Sequence, residues 1–184
     1  MKHKVVLLGA STGGPSQIKE LLKEIKNLSS TIIINQHMKE EVIPFFTKDI
    51  HSSCSFSVQT TPHTFSIDTP SVIICSHSSV VEKISDKFHI KTEIENQHYT
   101  PDINKFFNSF SEYAHLFDTD VIVMTGIGCD GVLGAEALKK SGAKIYAQDE
   151  KSSPVYGMPK AVCEKGIVDK VLSFEELKEY FRNL

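Results

Sequence analysis

Three short stretches carry side chains that could do acyl-transfer chemistry together. Gly9-Ala10-Ser11-Thr12-Gly13 presents a serine at the tip of a glycine-rich turn, Gln36-His37-Met38 presents a histidine, and Gly126-Ile127-Gly128-Cys129-Asp130-Gly131 presents an aspartate. A serine hydroxyl is a weak nucleophile at neutral pH and needs a base to take its proton during attack. Histidine suits that task because its pKa lies near the operating pH. A carboxylate on the far ring nitrogen fixes the tautomer and stabilises the imidazolium. Gly9 to Gly13 also fits G-x-S-x-G, the pattern of a serine exposed on a sharp strand-to-helix turn. The order serine, histidine, aspartate differs from the Ser…Asp…His order of α/β-hydrolases, so membership of that fold is not implied. Asp149 and Glu150 also follow a strand-like run and rival Asp130 as the orienting acid, whereas Asp118 and Asp120 precede one and belong at the opposite edge. Taken alone, the first turn also reads as a phosphate or nucleotide cradle, or as a plain tight turn. Neither G-x-G-x-x-G nor G-x-x-x-x-G-K-[ST] is present, which counts against a nucleotide-binding module.

The elements that must position these residues are legible around them. Val5 to Leu8 is a continuous apolar run, as in a parallel strand covered on both faces. After the serine turn, Ile18, Leu21, Leu22 and Ile25 fall at i, i+3, i+4 and i+7 of a helix, with Pro15 at its start. Thr31 to Asn35 is a second, β-branched strand, completing a right-handed βαβ unit. Ser11 and His37 then both lie just past the C-terminal ends of parallel strands, where open α/β sheets place their sites. A helix follows with Val42, Ile43, Phe45, Phe46 and Ile50 apolar. Ser55–Thr60 and Val72–Cys75 read as strands, with Pro62, Asp68 and Pro70 marking loop between them. Val80–Ile84 and Phe88–Ile94 flank Ser85-Asp86-Lys87 as an antiparallel hairpin, which would cover a sheet end or form an edge.

The rest of the chain alternates helix and strand. Ile103, Phe106, Phe107, Phe110, Tyr113, Ala114 and Phe117 form a helical stripe that packs on the sheet. Asp120 to Met124 is a third buried strand, and it runs into the turn that carries Asp130. The next helix turns Leu133, Ala137 and Leu138 inward and stops at Gly142. Ala143 to Gln148 is a further strand, a loop at Tyr156 to Pro159 leads to a short helix, and Ser173 to Glu176 is a capping box opening the last helix. The alternation points to an α/β domain with a mainly parallel sheet and one antiparallel hairpin.

At 184 residues the chain can bury a substantial core as one domain. Its net charge of −3 gives no support for nucleic acid as a partner. No stretch is apolar and long enough to span a bilayer and no signal peptide is evident, so membrane insertion is not expected and a cytoplasmic location is. The four cysteines include no C-x-x-C and read as reduced thiols. The eight histidines, among them His63 and His98, show no H-E-x-x-H and signal no metal site.

Gly9–Pro15, Gln36–Met38, Met124–Gly131 and Tyr156–Pro159 together resemble, in order, the motifs of the catalytic domain of chemotaxis protein-glutamate methylesterases. The similarity spans nearly the whole chain and implies a single-domain, doubly wound α/β fold with a mainly parallel sheet and helices on both faces. The resemblance implies hydrolysis of glutamyl γ-methyl esters on the cytoplasmic helices of chemoreceptors, releasing methanol, with deamidation of receptor glutamines by the same acyl chemistry. It implies Ser11 as nucleophile, His37 as general base and acid, Asp130 as orienting carboxylate, and the backbone N–H groups of Thr12 and Ile127 as the oxyanion hole. It implies no metal or organic cofactor, and Gly13 and Gly14 as room for the approaching ester and for helix packing. Lys39 stands where the family usually has proline, Cys129 where it commonly has asparagine, and Cys75–Ser79 where it has an A-P-G-D-x-H stretch. A degenerate, receptor-binding member is the alternative those departures leave. Because the first strand begins at Lys2–Lys4, residues 1–184 are expected to be one catalytic domain without the family's N-terminal receiver domain.

Overall fold

The computed structural model describes residues 1–61, 67–85, 87–93 and 100–184. Pro62, His63, Asp86, Ile94 and His98 lie outside the described residues. Strands β1 (Lys4–Ala10), β2 (Thr31–Gln36), β3 (Val58–Thr60) and β4 (Ser71–Ile74) are followed by a hairpin, β5 (Ser79–Ile84) and β6 (Lys87–Thr92), and then by β7 (Asp118–Val123), β8 (Lys144–Gln148) and β9 (Lys170–Leu172). Helices α1 (Gly14–Glu24), α2 (Ile43–His51), α3 (Ile103–Ser111), α4 (Val132–Lys140), α5 (Met158–Glu164) and α6 (Phe174–Arg182) connect them. The main sheet has seven strands in the order β3-β4-β2-β1-β7-β8-β9, and the pairings from β1 outward are all parallel.

Strand alternation sorts the apolar side chains onto two faces. Val6, Leu8, Ile32, Ile34, Val72, Ile74 and Ile122 pack with Ile18, Leu21 and Leu22 of α1, Ile43, Phe46 and Ile50 of α2, and Leu177 and Phe181 of α6. Val5, Leu7, Ile33, Ile73, Val121, Val123 and Ile145 pack on the other face with the α3 phenylalanines and with Ala135, Leu138, Met158 and Val162 of α4 and α5. The fold is the doubly wound, parallel α/β architecture that the sequence predicts. The chain leaves β1 toward β2 on one side and later returns to β7 on the other, so the order reverses at β1. Loops that diverge at such a point open a crevice at the C-terminal sheet edge.

Several expectations need correction. The hairpin is not an edge of the main sheet. It forms its own two-stranded sheet on the α3 face, with Val81, Phe88 and Ile90 buried there and Val81 N–H donating to Ser109 Oγ on α3 at 2.9 Å. Leu133 is 62% exposed rather than inward, because α4 turns Gly134, Ala135 and Leu138 to the core instead. Val42 and Phe45 are likewise exposed. Strand β9 was not expected: three residues, two of them exposed, are too few for any periodicity. Gly142 ends α4 with φ +92°, as expected.

The α3–α4 contact supports the C-terminal edge of β1. Gly9 faces Ile103 and Phe107, and Gly134 lets α4 approach α3 closely. A Cβ at Gly134 would stand 2.4 Å from Phe107 Cβ and 2.9 Å from Asn104 O. The second is backbone and cannot swing aside. Gly134→Ala should therefore destabilise the protein by about 1–3 kcal/mol through overpacking, seen as a lower urea midpoint with an unchanged m value.

Candidate active site

The C-terminal edge of the sheet gathers the loops after β1, β2 and β7. The parallel ladder pairs Ala10 with Gln36 and continues one step beyond the strands, with His37 N–H donating to Ala10 O and Ser11 N–H to Thr125 O, both at 2.9 Å. Ser11 is thus level with His37 on one side and Thr125 on the other. Adjacent strands lie about 4.8 Å apart, so the two residues stand side by side on neighbouring strands. Residues two before them, Gly9 and Asn35, pair across β1 and β2. Because Leu7, Gly9 and Ile33 face α3, alternation turns Ser11 and His37 toward that face too.

Asp130 meets His37 there. His37 Nε2 and Asp130 Oδ2 are 2.7 Å apart, with side chains 10% and 4% exposed. The carboxylate also accepts from Ile103 N–H (Oδ2, 2.9 Å), Asn104 N–H (Oδ1, 3.0 Å) and Gly131 N–H (Oδ1, 2.8 Å). Ile103 and Asn104 open α3, so orphan donors of a helix N-terminus point at the charge. Burial pushes the Asp130 carboxyl up, but the hydrogen bonds from His37, Ile103 and Asn104 and the charge of His37 outweigh it. The net shift is downward from the ordinary 3.8. The carboxylate is therefore ionised throughout the neutral range.

The rival acids are accounted for elsewhere. Asp149 Oδ1 accepts from Ser152 N–H at 3.0 Å and closes a turn, and Glu150 is exposed. Asp118 and Asp120 lie at the opposite edge, where Lys4 Nζ pairs with Asp120 Oδ2 at 2.6 Å.

Thr12 and Ile127 both border the Ser11 turn. Thr125 Oγ1 donates to Thr12 O at 2.8 Å and accepts from Val155 N–H at 3.0 Å, drawing the loops after β1, β7 and β8 together. Ile127 is 64% exposed and Thr12 is exposed. Among the described residues, neither Thr12 N–H nor Ile127 N–H makes a backbone hydrogen bond, leaving both as donors at the rim. The glycines between them fit loop packing. Gly13 has φ +84°, and a Cβ there would lie 2.8 Å from Pro154 Cβ. A Cβ at Gly126 would lie 2.4 Å from Met158 Sδ and 2.7 Å from Ser11 Cβ. The space beside Gly13 and Gly14 is filled by Pro154, Thr125 and Gln36, so it is not room for an ester.

Cys75–Ser79, where the sequence departs from the resembled family, is internally tied. Ser76 Oγ is 2.9 Å from His77 Nδ1, His77 Nε2 is 3.0 Å from Glu40 Oε2, and Ser78 Oγ accepts from Asp102 N–H at 3.0 Å. Glu40, Ile43, Thr61, Ser76 and His77 line part of a cavity of about 450 Å³ beside the His37 loop. Burial pushes the Cys75 thiol up to about 12, partly offset by Ser79, so it is no nucleophile. Among the described residues no cluster of His, Cys, Asp and Glu could hold a metal, and no helix is long and apolar enough to cross a membrane.

Sequence reading missed the groups that support the site. The Ile103 and Asn104 donors are backbone and have no residue signature, although Asp102 before an apolar stripe is an N-cap signal and does accept from Lys105 N–H at 2.7 Å. Gln36 lies inside a quoted motif, yet nothing in its type indicated a role.

Comparison with known proteins bears on the whole chain. The family model described as CheB methylesterase matches residues 6–181. A protein-glutamate methylesterase/protein-glutamine glutaminase 2 of Syntrophus aciditrophicus is 29% identical over 96% of this chain and 52% of its own length. A probable protein-glutamate methylesterase of Borreliella burgdorferi is 32% identical over 96% of this chain and 48% of its own length. The chain thus spans about half the length of the curated relatives it matches. The crystal structure of the Thermotoga maritima CheB methylesterase catalytic domain superimposes with a TM-score of 0.87 at 25% identity, covering 100% of this chain and 99% of that one.

The ionised Asp130 makes stability pH-dependent with a definite sign. A carboxyl whose folded pKa is depressed is protonated first in the unfolded chain, so its contribution is present above the ordinary value and is lost as pH falls through the folded one. Asp130→Asn should destabilise the protein by about 3 kcal/mol near neutrality, as for one partner lost from a buried pair. The gap should narrow as pH drops below 3.8. Urea titrations of both proteins from pH 7 down to about 3 measure it; a pH-independent gap would contradict the assignment.

Proposed function

The chain belongs to the CheB methylesterase family, and on that premise we propose that it is a serine hydrolase that removes γ-methyl esters from glutamyl residues on the cytoplasmic helices of chemoreceptors. The observation that supports this reading is the His37–Asp130 pair at 2.7 Å, on the loop beside the Ser11 turn at the point where strand order reverses. In the proposed reaction Ser11 Oγ attacks the ester γ-carbonyl carbon. Its proton passes to His37, whose Nε2 is committed to Asp130, so the other ring nitrogen is the one that takes it. The tetrahedral oxyanion faces the N–H group of Thr12, at the α1 end of the Ser11 turn, and that of Ile127, in the loop after β7. Collapse expels methanol, which leaves with the proton held by His37. Water then attacks the acyl-enzyme and gives one proton to His37; the bond from the acyl carbon to Ser11 Oγ breaks, His37 returns that proton to Oγ, and the glutamic acid released ionises to solvent. The serine proton lost in methanol is thus replaced from water, and the cycle as proposed calls on no cofactor.

A second substrate follows from the same chemistry. The curated relatives carry protein-glutamine glutaminase in their names alongside methylesterase. An amide in place of the ester would release ammonia through the same acyl-enzyme, and we extend the proposal to receptor glutamines on that basis. The nucleotide-cradle alternative loses ground because both glycine turns are packed against Pro154 and Met158 rather than open.

Methanol release from methylated chemoreceptor membranes tests the proposal. Ser11→Ala and His37→Ala should each lower the rate by about 10³-fold or more, and the double variant by little beyond either, since such residues act as a unit. Release undiminished in Ser11→Ala would sink the assignment. Ammonia release from receptors with glutamine at the same positions decides the second activity.

A further inference from the structure

Gln36 touches the proposed nucleophile and the proposed base at once. Its side chain is 1% exposed at the end of β2, on the α1 face, opposite to the face toward which His37 turns. Nε2 donates to Ser11 O at 2.9 Å and to His37 O at 2.9 Å. A primary amide has two N–H bonds, and here one goes to each residue. Ser11 is thereby held at three points: its N–H on Thr125 O, and its carbonyl on Gly14 N–H and on Gln36. His37 is held through its N–H on Ala10 O and its carbonyl on Gln36.

A purely structural explanation fits the other half of the amide poorly. Gln36 Oε1 is buried without a hydrogen-bond partner among the described residues. It lies where Gly14 lacks a side chain, and a Cβ on Gly14 would be 2.1 Å from it. A buried unsatisfied carbonyl is unfavourable for folding, and an apolar side chain of the same shape would avoid it. Glutamine at this position is unfavourable for the interior in one atom and gains two bonds, both to the residues whose separation decides proton transfer. An ester-hydrolysing pair must be held in near-attack geometry, and a displacement of about 1 Å is enough to lose two orders of magnitude in rate.

We propose that Gln36 is a positioning residue that fixes Ser11 and His37 relative to each other by bridging their carbonyl oxygens with one amide. This rests on the triad reading given above. Removing the bridge should act on the chemical step and leave substrate capture nearly intact, because Gln36 lies beneath the two loops and not at their surface.

The test uses the full chain with two readouts. One is kcat and KM for methanol release from methylated receptor membranes. The other is the rate at which a fluorophosphonate labels Ser11, in which the Oγ–P bond forms, P–F breaks, fluoride leaves and the serine proton goes to His37. Gln36→Leu should lower kcat and the labelling rate by about 10–100-fold, with KM changed less than about twofold and the melting temperature maintained. Gln36→Glu adds a signature that a loss of packing lacks. An ionised carboxylate against two carbonyl oxygens repels both, whereas the protonated acid can donate to one. The ratio of variant to wild-type labelling should therefore rise as pH falls. If Gln36→Leu does not fold, Gly14→Ala decides the matter, because its methyl displaces the amide and should reproduce the kcat loss.

Wild-type labelling by a folded Gln36→Leu, or wild-type kcat in Gly14→Ala, overturns the inference while leaving the proposed function intact. A wild-type protein that labels at Ser11 yet releases no methanol removes the receptor ester as substrate, and the labelling rates still decide the role of Gln36. A wild-type protein inert in both assays overturns the triad and the bridge together.

Discussion

The site depends on one buried carboxylate. Asp130 follows β7, yet its oxygens accept from the first turn of α3, from its own loop at Gly131 and from His37 after β2. A charge taken out of water is tolerated only when its lone pairs are met, and here they are met by three separate parts of the chain. The consequence is structural before it is chemical. With Asp130 in place, α3 must begin beside the sheet edge, the β7–α4 loop must fold back toward β2, and the His37 ring has one orientation. Asn104 extends the tie, since its N–H reaches Asp130 and its Oδ1 accepts from Gly134 N–H on α4 at 3.0 Å.

The two faces of the sheet divide the work. On the α1, α2 and α6 face, Ile18, Leu21, Leu22, Ile50, Leu177 and Phe181 make an apolar layer whose main polar intrusion near the site is the Gln36 amide. The α3 face carries the His37–Asp130 pair above Ile103, Phe106 and Phe107. Loops after β1, β7 and β8 are then fastened to one another by Thr125 Oγ1 and by Gln148, whose Oε1 accepts from Thr125 N–H at 3.0 Å and whose Nε2 donates to Ser152 O at 2.9 Å. Chemistry is concentrated on one face and one edge, while rigidity comes from both sides.

What was legible in the chain follows from how local each signal is. The runs at Val5–Leu8, Thr31–Asn35 and Asp120–Met124 are long and apolar enough to read as buried parallel strands, and they place Ser11, His37 and Asp130 at one edge before any coordinates are known. The capping box at Ser173–Glu176 and the stop at Gly142 are similarly self-contained. Other features depend on neighbours far along the chain. Leu133 faces outward because α4 lays its Gly134 side close on Phe107, and only the position of α3 in the fold decides which side of α4 is covered. Strand β9 exists because β8 offers an edge to Val171 and Leu172. The Ile103 and Asn104 donors belong to every peptide alike, so only the fold shows which two are aimed at a charge. Gln36 has no signature because a glutamine that bridges two carbonyls is spelled the same as one facing water.

The position of β1 has a consequence for how the molecule comes into being. Within this domain it comes before every other strand and sits between β2, its early neighbour, and β7, which begins only at Asp118. While the chain emerges, β1 and β2 can pair at once, but the far side of β1 keeps its ladder groups open until β7 arrives. Such long-range closure is slow and leaves a sticky strand edge exposed in the interval. Ser11 follows directly on β1, and its carbonyl partners Gly14 and Gln36 come soon after it in the chain. The acceptor for its N–H, Thr125, and the loop packed against Gly13, Pro154, come late. A chain that ends before β7 would therefore display the serine turn without the loops that pack around it. The shape of that turn is set abruptly, by contacts from the second half of the domain.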